Sequence, residues 1–296
     1  MIESPTEAIT FEPLSTEDPD SIKGPEIEIS LKPQPITASF RASIRLLQNV
    51  GGFAGRFRGF GIYVARSIAI QIVSGILNLM LHRALAGLIA IVACAQLSLA
   101  WTHIVISEPS PKRWFKRLPP AKTWRVVALP TAMLALAEQA SVFIPVSIAI
   151  ATGMTDNPAN LTPHEKSILG VKVAGLTVLG FVLAFLLIIP ANVTLTRVQA
   201  SILPDSDETI VPFDRSFGGK VVPEIVGGRG VSIRDAWATF DWASRVRLVK
   251  AYAKVLAMQT AITALFAVCI AVQLLAIVGK DFSKLIPADG NKQIQN

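Results

Sequence analysis

Apolar side chains fall along this chain in long runs, unlike the alternation of a half-buried strand or the one-sided stripe of a soluble helix. The run from Gly61 to Ile106 has only Arg66 and Arg83 as charged members. One helix of that length would measure about 70 Å at about 1.5 Å per residue, roughly twice a bilayer core of about 30 Å. The run therefore divides at His82 and Arg83, which predicts spans at 61–80 and 86–106. A re-entrant or surface helix is the alternative for 61–80, because Arg66 lies near its start. Three further runs, 126–151, 168–191 and 255–278, each have the length needed to cross. A single segment in lipid must satisfy its own backbone hydrogen bonds, so each is predicted to be helical. The expected fold is an all-α, polytopic helical membrane protein with a transmembrane domain over 61–280. It has about five transmembrane helices, or four if 61–80 does not cross.

The flanks read differently. Residues 1–37 mix acid, Ser, Thr and Pro, with Glu3, Glu7, Glu12, Glu17, Asp18, Asp20, Glu26 and Glu28 set against Lys23 alone in the first 30 residues. Such a segment buries too little apolar surface to offset the entropy of ordering, and a disordered acidic tail is expected. Its composition is the opposite of a signal peptide or presequence, so insertion is expected to depend on an internal helix. In 38–60, Arg41, Arg45, Arg56 and Arg58 interleave with Phe40, Ile44, Phe53, Phe57 and Phe60. That is the pattern of a membrane-surface segment, and its glycines (Gly51, Gly52, Gly55, Gly59) argue against one continuous helix. Residues 281–296 form a short C-terminal tail.

Composition agrees with membrane residence, since 51% of residues are hydrophobic and only 17% charged, against about 25% in soluble domains. The net charge of +7 comes from basic residues beside the apolar runs, which suits the anionic headgroups of a lipid bilayer and not nucleic acid. Lys112, Arg113, Lys116, Arg117, Lys122 and Arg125 lie between the second and third spans, and Arg215, Lys220, Arg229, Arg234, Arg245, Arg247 and Lys250 lie in the loop 199–250, close after Arg197. The connection 152–167 has only Lys166. Basic loops collect on the cytoplasmic side, which predicts a cytosolic N-terminus, a cytosolic loop 199–250 and a C-terminus outside. Asn160, Leu161 and Thr162 form an N-glycosylation acceptor triplet on the opposite side. Within the long loop, glycines and prolines between Asp205 and Gly230 predict irregular backbone. Ser232 and Asp235 have capping-box spacing. They would start an interfacial helix presenting Ile233, Trp237 and Phe240.

Glu138, followed by Gln139, stands in the middle of the third predicted span, where an ionised carboxylate costs several kcal/mol unless paired or hydrated. With Asn192 and Gln259 it is the candidate intramembrane polar site. Pro130, Pro145 and Pro190 would free backbone carbonyls nearby. Gly170, Ala174, Gly175 and Gly180 would let the fourth span pack closely. Cys94 and Cys269 lie in apolar runs, and His82, His103 and His164 lack ligand spacing, so no metal is expected. No phosphate-binding or nucleophile-elbow motif stands in a suitable context, so neither a cofactor nor a catalytic residue is assigned. The expected function is non-enzymatic, either small-solute transport or membrane organisation. One alternative is an enzyme acting on a lipid or lipophilic metabolite through Asp205, Asp207, Glu208, Asp214 and Asp241. Another is a scaffold recruiting cytosolic protein partners.

The stretch IPANVTLTRVQASILPDSDETIVPFDRSFGG (189–219), with DAWATFDWASRVRLVKAY (235–252), resembles a family of uncharacterised multi-pass membrane proteins of filamentous fungi. Some of its members carry the label "ubiquitin carrier protein". The resemblance covers about the last two thirds of the chain and implies residence in the endomembrane system or plasma membrane. The label would imply a catalytic cysteine after an HPN motif on a soluble α/β domain; this chain has no HPN, so no residue takes that role.

Overall fold

A computed structural model describes residues 39–154, 161–221 and 230–278. The acidic tail, Asn160, the segment 222–229 and the C-terminal tail lie outside the described residues. The fold is all-α: α1 (Phe40–Gly51), α2 (Phe60–Leu77), α3 (Arg83–Ala93), α4 (Ala95–Ile106), α5 (Trp124–Ala151), α6 (Pro163–Leu183), α7 (Ile189–Ser201), α8 (Ile233–Ala238) and α9 (Trp242–Val278). Among the described residues no strand forms, and the only β-type pairing is an isolated antiparallel bridge between Ser107 and Thr209.

Among the described residues, four helical stretches are long and apolar enough to cross a membrane: 53–77, 121–151, 164–201 and 242–276. The pair α3–α4, bent by 52°, supplies a fifth if it is one broken span. The chain is therefore a polytopic membrane protein. The stretch 164–201 runs past the predicted end of its span at 191, and its 38 residues extend about 57 Å, well beyond a core of about 30 Å. The basic segment before α2 breaks where the glycines predicted: Gly52 (φ +62) ends α1, a 3₁₀ turn covers Phe53–Phe57, and Gly59 (φ +76) opens α2.

Each irregularity in the spans has a local cause. At the α3–α4 bend the Trp124 indole Nε1 donates to the Val92 carbonyl at 2.8 Å. The Gln96 amide donates to the Pro119 and Pro120 carbonyls at 2.7 and 2.8 Å. Side chains and loop thus enter the backbone ladder, a recognised origin of kinks. The π-helical turn Ala184–Ile188 directly precedes Pro190, whose ring lacks an N–H and would clash with the carbonyl of an α-helical turn. Pro130 and Pro145 leave α5 continuous, and both are buried.

The described chain falls into two units, one ending at Asp241 and one starting at Trp242. In the first, α5 packs on α3, α4, α6 and α7, while α2 packs on α3 and α4. The core joins Ala95 and Leu99 of α4, Val127 of α5, Val198 and Ala200 of α7, Ala236 of α8, and the loop residues Phe217 and Val231. It therefore gathers the first half of α4, the start of α5 and the end of α7. The second unit is α9, a single helix with Val255, Leu265 and Leu275 exposed within that unit.

Candidate functional site

Ser98 and Thr102, and likewise His103 and Ser107, stand four residues apart on α4 and its C-cap, and all four are buried. Opposite them α7 buries Thr194, Arg197 and Gln199. The two faces are joined by hydrogen bonds. The Thr102 hydroxyl donates to Gln199 Oε1 at 2.6 Å, Gln199 Nε2 donates to Ser98 Oγ at 3.4 Å, and His103 Nε2 meets the Gln199 carbonyl at 2.8 Å. A carbonyl only accepts, so His103 carries its proton on Nε2 in this arrangement. Buried polar groups in a membrane protein are tolerable when satisfied in this way.

Four arginines then fasten the loops to this frame. Arg58 donates to the carbonyls of Ile104, at 2.7 Å, and Ser107. Arg117 donates to the Ser107 hydroxyl at 2.6 Å and pairs with Asp207 at 3.3 Å. Arg197 donates to the Thr239 hydroxyl at 2.8 Å and lies over the rings of Phe217, at 4.8 Å, and Phe240, at 5.5 Å. Arg215 donates to the Pro204 and Asp207 carbonyls and approaches Asp205 at 3.7 Å. Backbone bonds from Glu108 to Glu208 (2.8 Å) and from Ile210 to Ile106 (3.0 Å) tie the two basic loops directly together. Both loops therefore occupy one end of the bundle, and the segment before α2 joins them there through Arg58.

This changes the reading of the long loop. Its backbone between Ile202 and Val221 is irregular as predicted, yet Leu203 and Phe217 are buried. The helix predicted from Ser232 forms as α8, with the Ser232 hydroxyl accepting from the Asp235 amide at 3.1 Å. That helix packs on α7, with Ala236 and the following Phe240 buried and Arg234 and Ala238 exposed.

Three of the loop acids considered for catalysis are engaged in structure. Asp205 and Asp207 pair with arginines, whereas Glu208 is exposed. Asp214 accepts from the Ser216 hydroxyl (2.6 Å), the Gly218 amide (2.7 Å) and the Ser216 amide (2.8 Å). These bonds, led by the Ser216 hydroxyl, hold the Asp214 carboxyl below the ordinary carboxylate range.

Glu138 lies on α5 and is exposed on the surface of the first unit. Its charged neighbour is Arg66 of α2, which also acts electrostatically on Cys94 at the α3–α4 bend. Arg66, which in the sequence argues against a span at 61–80, acts electrostatically on Glu138 in the fold. Gln139 donates to the Ala84 carbonyl of α3 at 2.9 Å. Asn192 is half-buried on α7, and Gln259 lies exposed on α9, in the other unit. His82 caps α3, His103 is buried in the α4–α7 contact and His164 is exposed at the start of α6. Among the described residues no three His, Cys, Asp or Glu side chains gather as a metal site would require. Of the small residues on α6, Gly180 faces Ser141 and Pro145 of α5 closely, while Gly170 and Gly175 face no neighbour within 4 Å of a built Cβ.

Two clefts open at the loop end. One of about 980 Å3 is lined by Lys122, Arg125, Asp205, Arg215, Ser201 and Ser232, among others. The other, of about 260 Å3, has Arg58, Lys112, Arg117, Trp114, Ala54 and Gly55 in its wall.

Fold and site together define a class: a polytopic α-helical membrane protein whose basic loops are packed into a polar head at one end of the bundle. Comparison with protein-family models, with curated proteins and with solved structures returns no match to this chain.

Proposed function

We propose that this chain is a non-enzymatic membrane protein that organises anionic lipid, and through it soluble partners, at the face formed by its two basic loops. The observation that carries this reading is the docking of both loops and the α1 segment into one basic head. The arginine anchors fix that head at the end of the spans. The loop between α4 and α5 exposes Trp114, Phe115 and Leu118, and Trp124 follows at the start of α5, side chains of the type that gather at a membrane–water boundary. The engagement of Asp205, Asp207 and Asp214 in holding loops supports a binding role over a catalytic one. The distribution of basic residues supports a cytosolic head and N-terminus, and the resemblance to the fungal family supports an endomembrane or plasma-membrane address.

The test is energy transfer from the protein's tryptophans to dansyl-labelled lipid in reconstituted vesicles. Transfer to labelled phosphatidylserine should exceed transfer to labelled phosphatidylcholine at low salt, and the excess should shrink as salt screens the charges. Equal transfer to both lipids at low salt would overturn the reading.

A second reading, solute transport, draws on Arg66 and Glu138, which interact electrostatically and lie on two helices long and apolar enough to cross a membrane, since intramembrane charges by default mark pathways. It predicts that Glu138→Gln abolishes a flux while leaving thermal stability nearly unchanged.

A further inference from the structure

We propose that the smaller cleft at the loop end, between the turn after α1 and the loop after α4, is a specific site for the phosphate of an anionic phospholipid headgroup. This rests on the membrane-surface reading above and names its ligand. The cleft wall contains three cations, Arg58, Lys112 and Arg117, and no carboxylate. The two guanidinium groups converge on one residue: Arg58 donates to the Ser107 carbonyl and Arg117 to the Ser107 hydroxyl. Like charges so close repel, and each lies in the other's field. The acids that offset them stand outside the wall, Asp207 on Arg117 and Glu108 near Arg58. Each guanidinium has five N–H donors, and the bonds just named leave some of them for a further acceptor. A rigid pair of guanidinium groups with a nearby ammonium is the arrangement that recognises a tetrahedral oxyanion.

The surroundings favour a lipid as the source of that phosphate. Phe53 and Phe57, 70% and 60% exposed, lie on the same turn as Ala54 and Gly55, and Trp114 stands in the wall. A phosphate held here would leave acyl chains among these rings. The volume of about 260 Å3 falls below the roughly 300–1,000 Å3 of usual small-molecule pockets, which suits a headgroup bound end-on. The larger cleft is less suited, since Asp205 lines it and Arg215 is already committed to Asp205 and two carbonyls.

Native mass spectrometry of the purified full chain, titrated with phosphatidic acid or phosphatidylcholine, tests the site. Lys112 and Ala54 are both exposed, so Lys112→Gln and Ala54→Leu should fold, and thermal unfolding verifies it. The expected result is one phosphatidic acid held more tightly than phosphatidylcholine. Lys112→Gln should weaken it about fivefold, the worth of one cation near an anionic headgroup, and Ala54→Leu should fill the cleft and remove it. Inorganic phosphate should not displace the lipid. Displacement by inorganic phosphate at matched concentration would overturn the lipid source and leave a site for free phosphate. Equal retention of phosphatidic acid by the wild type and both variants would overturn the cleft, with the general anionic preference intact. Equal retention of both lipids throughout would overturn the membrane-surface reading as well.

Discussion

At the loop end of the first unit, Leu99, Val127, Val198 and Ala236 are fully or almost fully buried, and Gln199 among them is hydrogen-bonded on both sides of its amide. Farther along α5, Val142 and Ile150 are exposed, as are Val171 and Val178 of α6 and Leu186 of the π-turn. Water drives apolar groups together at the first place, whereas lipid tails are as apolar as leucine and give no such drive at the second. The head must therefore be closely packed and polar-satisfied. The span surfaces need only be apolar.

Substitutions can break that contrast, and the largest effects belong to the head. Gly59 has φ +76, and a Cβ there would stand 2.9 Å from Val105 Cγ2 and 3.2 Å from the Trp101 ring. Gly59→Ala should cost about 3 kcal/mol, combining left-handed backbone strain with overpacking. Gly175→Ala on α6, where a built Cβ meets nothing within 4 Å, should change stability by less than about 1 kcal/mol. Thermal unfolding in detergent compares the two, and equal shifts would erase the distinction between the regions.

Next in size is Arg197→Ala, which removes the hydrogen bond to Thr239 and the contacts with Phe217 and Phe240. It should cost about 3 kcal/mol and raise protease cutting within 202–221. Gln199→Ala strands the Thr102 hydroxyl and should cost about 2 kcal/mol by the same unfolding assay. The smallest effect is on the loop alone. The Asp214 carboxyl is held below its ordinary range, so its contribution is fully present above the ordinary carboxylate value of about 4 and is lost as pH falls through the depressed one. Protease sensitivity of the loop should rise below about pH 4 in the wild type, and Asp214→Asn should remove that dependence.

The spans were legible in the sequence because a bilayer fixes helix length and composition, and these leave their mark on contiguous residues. The head was not. Glycine and proline correctly signalled irregular backbone over the described residues 205–221, but irregular backbone can still be packed, and nothing local distinguishes a docked loop from a solvated one. Arg117, Arg197 and Arg215 were counted as topological charge, whereas each anchors a loop. A signal existed for Arg197, since Thr194, Arg197 and Ser201 follow helical spacing past the end of the apolar run. The hydrogen bonds of Gln199 with Thr102 and Ser98 join residues far apart in the chain, and one sequence offers no rule that pairs them.

Hydrogen exchange of the loop 202–221 in lipid nanodiscs tests most directly whether both basic loops form one packed head. The Ile210 amide, bonded to the Ile106 carbonyl at 3.0 Å, and the Val221 amide, bonded to Ser216 at 3.0 Å, should exchange slowly, with protection comparable to that of α7 and lost together in Arg197→Ala. Exchange of this loop at the rate of an unstructured peptide, while α7 stays protected, would contradict the account.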